Sequence, residues 1–116
     1  MTLMRLTIGV VAAALALAAA ALASPTATSV TVTAGKPSEL KFTLSKTSVP
    51  AGAVTFRVTN KGKSTHDFKI AGKKSALLRP GKTAVLAVTL KKGKAAYLCT
   101  LPGHAAAGMK GTITVR

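Results

Sequence analysis

Few residues of this chain can bind a transition metal, and their spacing is regular. The sequence has one cysteine, two histidines and three methionines, and two of the methionines lie within the first four residues. The remaining four side chains are His66, Cys99, His104 and Met109, and the last three form a Cys-x4-His-x4-Met segment. One thiolate, two imidazoles and a weak axial thioether hold a copper ion in one-electron transfer sites. We therefore predict that these four residues bind one copper ion.

Each of these residues also has an ordinary structural explanation when considered alone. A free cysteine is often a small buried side chain, a methionine often fills a gap in the core, and a single histidine in a strand is often structural. The intervening residues favour the metal site. Pro102-Gly103 predicts a turn that directs His104 back toward Cys99, and Gly108 tolerates the backbone conformation that brings Met109 under the metal.

The first 23 residues have the organisation of a secretory signal peptide. Arg5 gives a positively charged start, residues 6–20 are apolar, and Ala21-Leu22-Ala23 is a cleavage signal of the A-x-A type. An uncleaved membrane anchor is the alternative, since the apolar run approaches the roughly 20 residues that span a bilayer. We expect cleavage and export to the periplasm or another extracellular or cell-envelope location. The unpaired Cys99 would be exposed to oxidation there, and metal binding would protect it.

Removing these 23 of the 116 residues leaves 93, which is enough for one small domain. We assign residues 24–37 to a flexible N-terminal segment with the first strand, and residues 38–116 to the copper-binding domain. Apolar and polar residues alternate in short runs, the clearest being 40–44, 54–58, 83–90 and 111–115. Residues 66–70 are expected to be extended and to pair near the strand that leads to Cys99. Residues 60–63 are expected to form a turn, residues 72–81 mostly a loop anchored by Leu77 and Leu78, and residues 105–107 one helical turn. Seven to eight short strands without an amphipathic helix predict an all-β sandwich.

The chain has an unusually high positive charge, which indicates what kinds of molecule it binds. There are 17 Lys and Arg residues against 2 Asp and Glu, a net charge of +15 that becomes +14 without Arg5. An acidic redox partner protein and an anionic membrane surface are the candidate partners. Export and the small number of aromatic rings, three Phe and one Tyr, argue against nucleic acid. We expect a monomer whose lysines steer the acidic partner.

The ligand segment resembles a known family. Residues 97–115 resemble the C-terminal ligand loop and last strand of cupredoxins, particularly of the plastocyanin and auracyanin branch. Residues 54–60 followed by 65–68 are similar to the strand that carries the first histidine of that family. The resemblance covers about residues 38–116. It implies a Greek-key β-sandwich with a type 1 copper at one end, held by the four ligands named above.

Two departures from the family pattern bear on the site. Four residues separate Cys99 from His104, as in auracyanin-like proteins, whereas plastocyanin-type loops have two. Asp67 follows the first histidine where the family often has Asn. Asp67 is either an ordinary solvated carboxylate or a hydrogen-bond acceptor that fixes the backbone or the orientation of a ligand, and the sequence leaves both interpretations open.

The function that follows is that of an exported one-electron carrier between redox partners. A cell-envelope protein that binds or delivers copper is an alternative, and so is a cupredoxin-like module that assists metal uptake. An enzyme is not expected, because one copper site without a second histidine cluster does not support multicopper oxidase chemistry. A Cys/His hydrolase would need an orienting acid, for which Asp67 is the sole candidate near a histidine. No catalytic residue is therefore predicted.

Overall fold

The computed structural model describes residues 26–116 and, before them, only Thr2 and Met4. Apart from these two residues, the predicted signal peptide lies outside the described part of the chain. Among the residues that are described, no helix has the length and apolar character needed to cross a membrane.

Residues 26–116 form nine β-strands and no α-helix, which confirms the all-β prediction. The strands are β1 Thr28–Ala34, β2 Phe42–Leu44, β3 Ser48–Val49, β4 Gly52–Asn60, β5 Lys69–Ile70, β6 Lys73–Lys74, β7 Thr83–Leu90, β8 Gly93–Leu98 and β9 Lys110–Val115. The count exceeds the expected seven to eight because three strands have only two residues. One of these, β6, lies in the segment that was expected to be loop.

The strands form two mixed sheets that pack face to face, which confirms the sandwich. The first sheet has the order β2-β1-β4-β7 and the second has the order β3-β9-β8-β5-β6. Strands β1 and β4 are parallel, as are β3 and β9, and the other pairs are antiparallel. Inward-pointing residues of both sheets form one core, for example Val32, Phe56 and Ile113, each 0% exposed. The period-two alternation of the sequence produces this core, because alternate strand residues face opposite sides.

The ring of Phe68 anchors the segment after His66 in this core. Its centroid lies 5.4 Å from that of Phe42, 5.2 Å from Phe56 and 5.4 Å from Tyr97. Such aromatic contacts add to the stabilisation that comes from burial alone. Because Phe68 follows His66 by two residues, this packing also fixes the position of the histidine.

The local predictions agree with the structure at some positions and differ at others. Leu78 is buried as expected, but Leu77 is 63% exposed and anchors nothing. Strand β1, Thr28–Ala34, lies within residues 24–37, where a flexible segment and the first strand were expected, and it pairs with β4. Strand β7 has the predicted bounds. Residues 105–107 lie in one helical turn as predicted, since the N–H of Ala107 donates to the carbonyl of Gly103 at 3.1 Å.

Candidate metal centre

Strand pairing brings the two ligand-bearing segments of the chain together. His66 lies just before β5 and Cys99 directly follows β8, and these strands pair with Lys69 opposite Leu98 and Ile70 opposite Tyr97. The predicted pairing of the two segments is confirmed. His66 is held on its other side by Leu78, since each residue's backbone N–H donates to the carbonyl of the other, at 3.1 and 2.8 Å.

Backbone hydrogen bonds close the loop that carries the other three predicted ligands. The N–H of Cys99 donates to the carbonyl of Met109 at 3.1 Å, and the N–H of Met109 donates to the carbonyl of His104 at 3.0 Å. Gly103 and Gly108 adopt φ values of 78° and 111°, which disfavour other residues. The loop thus reverses twice, which returns His104 and Met109 to the neighbourhood of Cys99.

Three of the predicted ligands converge on one point. The nearest ligand atoms of His66, Cys99 and His104 all lie within 4.8 Å of one another. The two Nδ1 atoms are 3.2 Å apart, and the Cys99 Sγ lies 3.5 Å from the His104 Nδ1. Nitrogen and sulfur ligands bonded to one ion at about 2.0 to 2.3 Å lie roughly 3.3 to 3.7 Å apart at angles between tetrahedral and trigonal. The donor set and its spacing therefore fit a type 1 copper site.

Met109, the fourth predicted ligand, is buried beside Cys99. Its side chain is 0% exposed and packs with Cys99 and Ala34 in a small buried cluster, against which Leu40, Phe42 and Leu101 also pack. His66 and Cys99 are buried as well, whereas His104 is partly exposed. Solvent and partner molecules therefore reach the centre through the His104 side.

The sulfur of Cys99 is held in a buried, hydrogen-bonded position. Burial raises the pKa of the thiol, while the backbone N–H groups of Asp67 and Leu101 donate to the sulfur and act in the opposite direction. Burial has the larger effect, so the metal-free side chain is a thiol at neutral pH. A metal ion bound there displaces the thiol proton.

Glu39 orients His66, a contact that the sequence did not reveal. The His66 Nε2 donates to Glu39 Oε1 at 3.0 Å. The carboxylate also accepts from the backbone N–H groups of Lys63 and Ser64 and from the Ser64 hydroxyl. These contacts, the backbone N–H of Lys63 foremost, lower the pKa of Glu39 from 4.5 to about 2. The ionised carboxylate keeps the imidazole proton on Nε2, so that the lone pair of Nδ1 faces the other ligands.

Asp67 links the first-histidine segment to the ligand loop. It is 0% exposed. Its carboxylate accepts from the backbone N–H of Thr100 at 2.6 Å and from the Thr100 hydroxyl. Of the two interpretations of Asp67, the solvated carboxylate is wrong, and the buried carboxylate is an acceptor that fixes the backbone at Thr100.

Asn60 was expected only as a turn residue, but it organises the approach to His66. Its buried side-chain amide donates to the carbonyls of Ser64 and Leu78, both at 2.7 Å, and its carbonyl accepts from the N–H of Gly62 at 2.8 Å. One side chain thus joins the end of β4, the turn before His66 and the segment that pairs with His66. In the sequence, the only indication of this role was that Asn60 stands at the end of a strand in which apolar and polar residues alternate.

Comparison with solved structures shows that the fold is similar to those of known copper proteins. Auracyanin B matches with 25% identity and a TM-score of 0.70 over 82% of this chain and 93% of its own. Auracyanin A, a blue copper protein from Chloroflexus aurantiacus, matches with 21% identity and a TM-score of 0.66 over 78% of this chain and 100% of its own. Rusticyanin from Thiobacillus ferrooxidans matches with 23% identity and a TM-score of 0.69 over 80% of this chain and 79% of its own. The last two matches show the similarity of the fold alone.

At the level of sequence, no curated protein matches this chain significantly. The family model of the cupredoxin-like domain matches residues 5–115, nearly the whole of the 116-residue chain. The sandwich, the ligand loop after β8 and the convergence of His66, Cys99 and His104 agree with that match. The chain therefore belongs to the cupredoxin-like family.

Proposed function

We propose that this protein is an exported one-electron carrier with a single type 1 copper ion bound by His66, Cys99, His104 and Met109. The convergence of three ligand atoms within 4.8 Å carries the proposal. Bound copper supplies a couple between Cu(I) and Cu(II). The description of auracyanin A as a blue copper protein supports the same chemistry. Export is proposed from the leader-like residues 1–23.

The protein's own contacts suit such a carrier because they hold the donor atoms in fixed positions. Glu39 fixes the ring of His66, Asp67 ties the segment after His66 to Thr100, and backbone N–H groups donate to the Cys99 sulfur. Preorganised dipoles of this kind do not have to rearrange when the charge at the centre changes. Electron transfer is favoured when little rearrangement accompanies it.

The proposed route of the electron is the exposed edge of His104. The residues around it carry no charge from Leu98 to Met109, and Pro102 and Ala106 are exposed while Leu101 and Ala105 are partly exposed. This apolar end of the molecule suits close contact with a redox partner. The lysines elsewhere on the surface would steer a partner with an acidic docking surface.

Copper delivery and assistance to metal uptake are the competing functions, and burial of the ligands argues against both. His66, Cys99 and Met109 are at most 1% exposed, so an acceptor cannot approach three of the four predicted ligands. In a protein that delivers copper, the ligands of the acceptor must be able to replace those of the donor one at a time. Slow loss of copper to a chelator would agree with the carrier, and rapid loss would favour delivery.

The direct test is to add Cu(II) to the purified protein and to record its visible absorption and EPR spectra. We expect an intense thiolate-to-copper band and a narrow hyperfine splitting, both of which Cys99→Ala abolishes. Thr112→Ala is the matched control, because Thr112 is exposed on β9 and should leave the spectra unchanged. A wild-type protein that stays colourless would contradict the proposed function.

A further inference from the structure

The outer face of the second sheet carries a row of lysines. Lys69 on β5 lies opposite Lys74 on β6 and opposite Leu98 on β8, and Leu98 lies opposite Lys110 on β9. Residues directly opposite one another in antiparallel strands project to the same side. The three lysines are exposed, whereas the next pair, Ile70 and Tyr97, faces the core. With strands about 4.8 Å apart, the row spans roughly 14 Å.

A fourth lysine extends this surface along β8. Lys94 lies four residues before Leu98, on the same side of the strand, and is exposed. We name the surface formed by Lys69, Lys74, Lys94 and Lys110 the lysine face. Ala96, which is also exposed, lies between Lys94 and Leu98, so that the face has small residues at its centre.

The outer face of the first sheet is different. On β1, β4 and β7 the outward positions hold Ser, Thr, Ala and Val, and Arg57 is the single charged residue among them. The charge borne by strands is therefore concentrated on one side of the sandwich. A general excess of lysine, serving only solubility, gives no reason for this difference between the two sheets.

The lysine face has no internal counter-charge. The chain has only two carboxylate side chains. Glu39 bonds to His66, Lys63 and Ser64, and Asp67 bonds to Thr100, so both are engaged at the metal centre. Like charges directly opposite in a sheet, such as Lys69 and Lys74, destabilise the pair. An anionic molecule from outside would relieve this repulsion.

The face also adjoins the metal centre. Leu98 is bonded to Cys99, and Lys110 is bonded to Met109. A surface cavity of about 410 Å³ lies over the paired strands β8 and β9 and is lined by Ala96, Tyr97, Leu98, Lys110, Gly111 and Thr112. A molecule bound here lies beside two of the proposed ligands, on the flank of the sandwich and away from the apolar end around His104.

We propose that the lysine face is a second docking surface, and that it binds the carboxylate-rich face of a redox partner protein. This inference rests on the proposed function. Charge complementarity supplies the attraction, and the cavity beside Leu98 admits a protruding side chain of the partner. A protein suits the surface better than a membrane does. The large exposed hydrophobic residues in the described part of the chain are Met4, Leu77 and Val85, and none of them lies on the lysine face.

The test maps where two anionic probes bind, using isotope-labelled protein in both its Cu(I)-loaded and metal-free forms. With the paramagnetic ion hexacyanochromate(III), we expect broadening of the amide signals of Lys69, Leu98 and Lys110. With poly-L-glutamate, we expect the double substitution Lys69→Gln and Lys110→Gln to weaken binding about fivefold. Arg57→Glu is the matched control, because it changes the net charge by the same two units on the other sheet. It should weaken binding less than twofold, roughly the effect of one exposed pair.

Three outcomes would overturn the proposal. Equal weakening by Arg57→Glu would show that net charge alone attracts the probes. Broadening confined to residues 101–106 would place the anion site at the apolar end. Binding to phosphatidylcholine vesicles that contain phosphatidylserine, without binding to poly-L-glutamate, would identify a membrane surface. Thermal unfolding of each variant confirms that it is folded. A failure to bind copper would remove the proposed function, yet the metal-free form would still show whether the face binds anions.

Discussion

At the scale of single residues, the two carboxylates of this strongly basic chain are both committed to the metal centre. Glu39 accepts a hydrogen bond from His66, and Asp67 accepts two from Thr100 next to Cys99. Groups that hydrogen-bond to a metal ligand on the side away from the metal set the orientation and the basicity of that ligand. Glu39 does so as a full negative charge, and it therefore influences which oxidation state of copper the centre favours.

Replacing Glu39 by Gln tests this influence. The amide keeps the size of the side chain but removes a charge that favours Cu(II), so we expect the reduction potential to rise. A tenfold loss of preference for Cu(II) corresponds to about 59 mV for one electron. Voltammetry of the copper-loaded protein measures the shift. Lys63→Gln is the control for a charge change in the same turn, since its backbone contact with Glu39 remains. An unchanged or lower potential in the Glu39 variant would contradict the role.

The acid stability of the metal-free protein also depends on Glu39. Its folded-state pKa of about 2 lies below the ordinary value of 4.5. The contacts of the ionised group therefore stabilise the fold above pH 4.5, and this contribution is lost as the pH falls from 4.5 toward 2. We expect Glu39→Gln to lower the free energy of unfolding near neutral pH and to flatten its pH dependence in this window. Urea denaturation at a series of pH values measures both, and an unaltered slope would count against the assignment.

At the scale of elements, the position of Glu39 depends on two loops that meet backbone to backbone. Gly35 has a φ of 84°, and a Cβ built there would lie 2.5 Å from the Cα of Gly62. A Cβ on Gly62 would in turn lie 2.7 Å from a carboxylate oxygen of Glu39. Glycine at position 35 lets the loop after β1 approach the turn after β4, and glycine at position 62 leaves room there for the carboxylate of Glu39, which reaches His66.

Gly35→Ala should therefore destabilise the protein through both strain and collision. Gly81→Ala is a matched control, since Gly81 has the same φ of 84° but nothing within 4 Å of its added Cβ. Strain alone costs about 1 to 2 kcal/mol, and we expect the collision to cost about 1 to 3 kcal/mol more at Gly35. Urea denaturation of the two variants measures the difference. An equal decrease in the free energy of unfolding of the two variants would mean that the two loops can move apart without destabilising the protein.

The length of each strand explains whether it could be predicted from the sequence. Strands β4, β7 and β9 were predicted because their apolar residues alternate over several positions. Strands β3 and β6 have two residues each, too few to show a period, and β5, which is equally short, was predicted only as part of the extended residues 66–70. The ligands after β8 were found from residue types that are rare in this chain. Glu39 was not assigned to the site, because its contact with His66 spans 27 positions and depends on the meeting of two loops.

At the scale of the whole molecule, the net charge of +15 should govern encounters with redox partners. We expect oxidation of the Cu(I) protein by hexacyanoferrate(III) to slow by roughly tenfold as ionic strength rises from about 0.01 to 0.5 M, because salt screens the attraction. Oxidation by the cation tris(phenanthroline)cobalt(III) should become faster over the same range. Stopped-flow absorption at the copper band measures both rates. Oxidation rates that do not depend on ionic strength would show that the charge does not steer partners.

The open edge of the first sheet gives the same charge a second consequence. Within the described residues 26–116, strand β7 has eight residues and no strand paired on its outer side, whereas the other edge strands, β2, β3 and β6, have two or three residues. Long open edges invite pairing with another copy of the chain. Lys82 precedes β7, and Lys91 and Lys92 follow it. Antiparallel pairing of two such edges would set Lys82 against Lys91 and Lys92, so we expect their mutual repulsion to protect the sandwich from aggregation at this strand.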